Sequence, residues 1–216
     1  MKSVFCLRHF LFVVAAGMLL PGCLLRRVSD SPRHFVLAPI PGDKLPSPPT
    51  RHLLIGISYV RMPSPLLRNS IAVSTGPNEI EYLENALWAE RLDHCFERTL
   101  AANLSRLLVS DGIYLGDLGS EQILVRVSVN VQQFEVDTLG SGRLIAQWQI
   151  TNPQSDTLLK SGLARLVRTG DAPKGKPEVI ATTLSALASD FSRDLAQSIR
   201  ESIQSVPASP SSAAVN

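Results

Sequence analysis

The chain has little cysteine and little histidine. Cys6, Cys23 and Cys95 are the three cysteines, and only four histidines occur in 216 residues. None of these stands at the spacing of a zinc site, and neither a Gly-rich phosphate loop nor a G-x-S-x-G elbow is found. An excess of one charge is also missing. The formal charge of +2 includes Lys2 and Arg8, which lie in a segment expected to be removed. Of 21 basic residues 19 then remain, matching the 19 acidic ones. A neutral chain does not favour a nucleic-acid partner, which needs a basic surface. Beyond the N-terminus no apolar run approaches the ~20 residues of a membrane-spanning helix. What is present is enough apolar material for a core, 44% against 19% charged, which argues against global disorder.

The N-terminus reads as a secretory signal over residues 1–22. Lys2 and Arg8 form a positive start, and Phe10 to Leu20 form an apolar core too short to span a bilayer. Leu20-Pro21-Gly22-Cys23 resembles a bacterial lipobox, although Pro21 departs from its usual pattern. In such signals the cysteine thiol receives a diacylglyceryl group, and cleavage leaves the cysteine as an acylated N-terminus carrying chains such as palmitate. Cys23 is therefore the candidate lipidation site. An ordinary secreted protein whose signal contains a cysteine is the alternative. Each buried methylene contributes about 0.8 kcal/mol, so several acyl chains anchor a domain that one chain holds only marginally. Lipidated Cys23 and discarded Cys6 would leave Cys95 without a disulfide partner.

Arg33 to Pro39 reads as a short edge strand, followed by a stiff linker containing Pro41, Pro46, Pro48 and Pro49. Leu53 to Val60 is an apolar run of strand type, ended by Met62-Pro63 because proline has no N–H for a ladder. Short strands at Ser70 to Ser74 and Glu79 to Leu83 flank the turn Gly76-Pro77-Asn78. Leu92, Phe96, Leu100, Leu104 and Leu108 share one face of a helix expected over about 88–108, with Gly112 as its stop. From Ile123 to Val131, apolar residues hold the odd positions, and Phe134 and Val136 shift that parity, which predicts a bulge near Gln132-Gln133. Strands from Leu144 to Ile150 and from Thr157 to Arg168 complete an antiparallel meander. Pro177 opens a second helix whose stripe is Ile180, Leu184, Leu187, Phe191, Leu195 and Ile199. The sum is a two-layer α+β domain: a mixed β-sheet with two amphipathic helices packed on it. The first helix can act as a crossover that makes the Leu53 and Ile123 strands parallel.

The order and spacing of several motifs carry a family resemblance. They are a strand ending in proline, Leu66-Leu67-Arg68, Asn78-Glu79-Ile80-Glu81-Tyr82, and Trp88-Ala89-Glu90-Arg91-Leu92 at the start of a long helix. With the lipoprotein N-terminus they resemble the PqiC/YmbA lipoproteins, auxiliary components of ABC-type transport systems, over roughly residues 33–204. The resemblance implies a TolB N-terminal or anticodon-binding-like fold. It implies a lipoprotein at the periplasmic face of the outer membrane, with Leu24 in place of a retention aspartate, docking an MCE-domain protein of a Pqi-like lipid-transport system. It also implies a homo-oligomeric ring, which free sheet edges would suit. The expected organisation is a signal peptide (1–22), a lipidated N-terminus with edge strand and linker (23–50), the auxiliary lipoprotein domain (51–204) and a disordered tail (205–216).

Nothing in the sequence asks for catalysis, a metal or a cofactor. His94-Cys95 is a tempting pair, but neighbours on a helix point about 100° apart. A buried, inert thiol is the reading for Cys95. Glu79, Glu81, Glu84 and Glu90 read as a solvated strand edge and a helix start. The residues put forward for partner contact are Arg68, Trp88 and Glu90. Trp88 reads first as a core anchor and second as an interface residue, and Arg68 reads as a surface group or the partner of Glu79 or Glu81. A lipid-binding periplasmic carrier is the alternative function, and an envelope hydrolase a further one.

Overall fold

In a computed structural model, residues 31–42, 54–108, 112–116 and 123–205 are described. The signal segment, Cys23, most of the proline linker and the tail lie outside them. The chain divides after Ser31, and the fold is that of the unit beginning at Pro32.

Five strands form the main sheet. They are β2 (Leu54–Arg61), β5 (Gly112–Leu115), β6 (Val125–Val136), β7 (Ser141–Asn152) and β8 (Thr157–Thr169). They lie side by side in the order β5-β2-β6-β7-β8. β2 runs parallel to β5 and to β6, as a helical crossover requires, and β6, β7 and β8 form the antiparallel meander. The ladder between β6 and β7 shifts register between Val131 and Gln133, where the parity change predicted a bulge. Three more strands form a second sheet, so the strands are shared between two sheets rather than one. β1 (Arg33–Phe35) pairs in parallel with β4 (Glu79–Trp88), which pairs antiparallel with β3 (Ser70–Gly76). A bridge from Ser74 to Asp137 joins the β3–β4 hairpin to the end of β6.

The helices are α1 (Leu92–Leu108) and α2 (Pro177–Ser205). Both lay their apolar stripes on one face of the main sheet. Phe96 of α1 meets Phe134 of β6 edge-on, with ring centroids 5.2 Å apart, and lies 6.0 Å from Phe191 of α2. These three rings, with Leu100, Leu104, Leu144, Ile150 and Ile180, are almost wholly buried. At about 1.5–3 kcal/mol for each large side chain removed from water, they dominate the drive to fold.

Two sequence expectations are corrected. Trp88 does not open a helix: it is the last residue of β4, and α1 begins at Leu92. Ala86 and Trp88 are both buried, the period of a strand, and the Trp88 N–H donates to the Asn69 carbonyl at 2.6 Å. Gly112 is not a helix stop but the first residue of β5, a strand the sequence reading did not include.

Candidate functional site

The most ordered polar cluster holds a piece of backbone. Cys95, Thr99 and Asn103 repeat every four residues along α1 and line one stripe beside the apolar one. Ser185 and Ser192 face them from α2. Between the helices runs the segment after β1. Its Leu37 N–H donates to Cys95 Sγ (3.2 Å), and its Leu37 carbonyl accepts from Thr99 Oγ1 (3.2 Å). Ala38 N–H donates to Ser185 Oγ (3.0 Å), and Ile40 N–H donates to Asn103 Oδ1 (2.7 Å). Arg106 donates to the Ile40 carbonyl, and Asn103 Nδ2 donates to Ser192 Oγ at 3.0 Å. Residues 37–40 are thus a strap, satisfied by side chains instead of by a sheet. Sequence reasoning missed this role. The signal was a run of small polar residues at helical spacing beside an apolar stripe.

Cys95 is fully buried, and burial pushes its thiol pKa up, so it stays protonated and inert. His94 points to solvent, with Nδ1 3.9 Å from Glu97 Oε2, and forms no couple with the thiol. Glu79, Glu81 and Glu84 are exposed along β4. Among the described residues no group of three His, Cys, Asp or Glu could hold a metal ion, and no helix is long and apolar enough to cross a membrane.

The three contact candidates fall in different environments. Arg68 is exposed, and its guanidinium stacks 4.6 Å above the Tyr82 ring, whose hydroxyl donates to the Pro65 carbonyl (2.9 Å). Trp88 is 3% exposed and packs beside Leu92, Phe134 and Leu184, so its indole is a core group. Glu90 is half-buried, with Oε1 2.6 Å from Arg98 Nη2. The structure does not bring the three together into one site.

A broader surface lies on the side of the main sheet that the helices leave open. The polar positions of β6 and β7 join with those of β2 and β8 to form it. Register places Tyr59 beside Ser128, Arg61 beside Asn130, Gln147 opposite Leu163, Ile145 opposite Arg165, and Arg143 between Glu135 and Val167. A pocket of about 340 Å³ opens at one end, lined by Thr75, Gln133, Glu135, Asp137 and Arg143 among others.

The profile described as "ABC-type transport auxiliary lipoprotein component" matches residues 35–196. No curated protein matches the sequence. Among solved structures, an uncharacterized protein is similar with TM-score 0.63 and 22% identity, over 79% of this chain and 99% of that one. Protein XCC0632 from Xanthomonas campestris, of family DUF330, is similar with TM-score 0.60 and 12% identity, over 81% of this chain and 100% of its own. At those identities the likeness shows the fold alone. TolB from Acinetobacter baumannii overlaps too loosely to bear on the assignment (TM-score 0.35, 9% identity, over 74% of this chain and 30% of TolB). A profile that runs from β1 into α2, on a two-helix α+β fold, places the chain in the family of ABC-type transport auxiliary lipoprotein components.

Proposed function

We propose that this chain is a non-catalytic docking component of an MCE-type, Pqi-like system that moves lipid between membranes. Acyl chains on Cys23 hold it at the periplasmic face of the outer membrane, and the α+β domain contacts the MCE-domain protein. The observation that carries this reading is the family match over residues 35–196, which covers nearly every described element of the domain. The interior supports docking over chemistry, because among the described residues Thr99, Asn103 and Ser185 are spent on holding the strap and the Cys95 thiol is sealed. Arg68 and Glu90 have atoms available to a partner, and Trp88 supports β4 from within. Among the described residues β8 leaves one edge of the main sheet unpaired, a suitable site for ring formation.

Cys23→Ser tests the anchor. The variant is expected to fold as the native chain and to leave the membrane fraction for the soluble periplasmic one. Retention in the outer membrane would overturn lipidation at Cys23. Recovery of the MCE-domain protein with the native chain, after crosslinking in the envelope, tests the docking half.

A further inference from the structure

We propose that the open face of the five-stranded sheet is the docking surface, and that the partner protein presents carboxylates to it. This rests on the docking reading above and specifies the surface that performs it and the chemistry that recognises the partner.

Charge favours this face first. Arg61, Arg126, Arg143 and Arg165 stand on it against Glu135 and Asp137, the latter 3.9 Å from Arg143 Nη2. Glu135 is itself engaged: its Oε1 accepts from Gln133 Nε2 at 2.5 Å, and it lies opposite Arg143. Among the described residues Arg126 and Arg165 make no ion pair. The acidic residues Glu79, Glu81 and Glu84 are placed on the other sheet instead. Among the described residues, arginines thus outnumber carboxylates on this face. Cationic surfaces of this kind steer an anionic partner and fix its register more than they add raw affinity.

Composition points the same way. The face carries arginine and half-exposed tyrosine, with Tyr59 39% and Tyr114 40% accessible, and exposed Leu163 and Val167 at its β8 rim. Among the described residues it carries no lysine, the cation typical of a merely solvated surface; Lys160 of β8 pairs instead with Glu201 of α2. Arginine and tyrosine are the residues enriched in protein interfaces, where lysine is depleted. That distinguishes a protein partner from an anionic lipid surface, which lysine serves as well. Arg61 is already stacked 4.5 Å over the Tyr59 ring, so part of its ordering cost is met before binding.

Size and position agree. The long strands have 12, 12 and 13 residues. At ~3.3 Å per residue and ~4.8 Å between strands, the face offers on the order of 700 Å². That is close to the ~800 Å² each partner gives to a stable interface. The strap at 37–40 is bonded to the helices, which cover the opposite face. Residues 37–40 themselves therefore do not lie on the open face.

The test uses the full-length lipidated protein in detergent and the purified periplasmic region of the MCE-domain protein of the same system. Arg126→Glu with Arg165→Glu is expected to weaken binding on the order of tenfold or more, since opposed like charges cost several kcal/mol. Native binding is expected to weaken as salt rises from about 0.05 M to about 0.5 M. Arg193→Glu, on α2 behind the opposite face, is expected to bind as the native chain does. The milder Arg126→Gln with Arg165→Gln guards against a folding defect and should give a smaller loss of the same sign. If the reversed chain binds like the native one, or Arg193→Glu alone abolishes binding, the surface is wrong while docking stands. If the native chain does not bind the MCE-domain region, the docking reading falls and this inference with it. If the reversal instead abolishes binding to phosphatidylglycerol vesicles, or self-association, and leaves the MCE contact intact, the face belongs to lipid or to a second copy and the proposal is overturned.

Discussion

Gly142 and Gly162 stand where the main sheet has no room for a side chain. A Cβ on Gly142 would lie 2.6 Å from Thr183 Cγ2 and 2.9 Å from Leu187 Cδ1, both on α2. A Cβ on Gly162 would lie 2.5 Å from Trp148 Cζ2, because the indole lies across the glycine on the helix-facing side. The first contact sets how closely α2 approaches β7. Gly142→Val is therefore expected to destabilise the fold by about 1–3 kcal/mol through overpacking. Thermal unfolding would show this as a loss of several degrees. Gly42 has nothing within 4 Å of its would-be Cβ, and Gly42→Ala should leave the midpoint where it is.

At the scale of elements, the strap is where local sequence and tertiary structure depend on each other. Asn103 is fully buried and serves two segments at once, accepting from Ile40 N–H and donating to Ser192 Oγ. Asn103→Leu leaves the part-buried Ile40 N–H without its bond, at about 1–3 kcal/mol, while Ser192 Oγ keeps its bond to the Ala188 carbonyl. The expected result is a lower denaturant midpoint, faster amide exchange at residues 37–40, and alkylation of Cys95, which the strap otherwise covers. A variant whose Cys95 stayed unreactive would show that the remaining bonds from Thr99, Ser185 and Arg106 hold the strap without Asn103. The sequence showed the apolar stripes of both helices, the parity of β6 and its bulge, because period and shape are written in neighbouring residues. It did not show the strap, because bonds from side chains to distant backbone leave only a polar residue at a helical position. β5 was hidden for a different reason. Four residues are too few for a period to declare itself, and a glycine after a long helix resembles a stop. Trp88 was misplaced because a tryptophan followed by Ala-Glu-Arg-Leu suits a helix start, whereas pairing with β1 and β3 extends β4 through it.

At the scale of the whole domain, the α+β class followed from the order of elements, and the division into two sheets did not. Which strands pair is decided by partners far apart in sequence, such as β1 with β4 and Ser74 with Asp137. The open arginine face was likewise legible only as an alternation of polar residues; its charge appears once four strands are laid side by side. The same assembly bears on whether the protein carries lipid or only docks. Among the described residues, the apolar pocket lined by Leu66, Trp88, Leu92, Phe134 and Leu184 has a volume of about 10 Å³. That is about the room a single water needs, far below an acyl chain. The larger pockets, about 300 and 340 Å³, are open and carry charged walls, including Arg168 and Asp171 in one and Glu135, Asp137 and Arg143 in the other. Among the described residues the apolar stripes of α1 and α2 are spent on the core. The Cys23→Ser chain, which would lack any acyl chains of its own, should therefore leave the periplasm with far less than one lipid per molecule by native mass spectrometry. One tightly held lipid per chain would reverse the choice, since a cavity would then have to open between α1, α2 and the small sheet, and the carrier reading would replace docking.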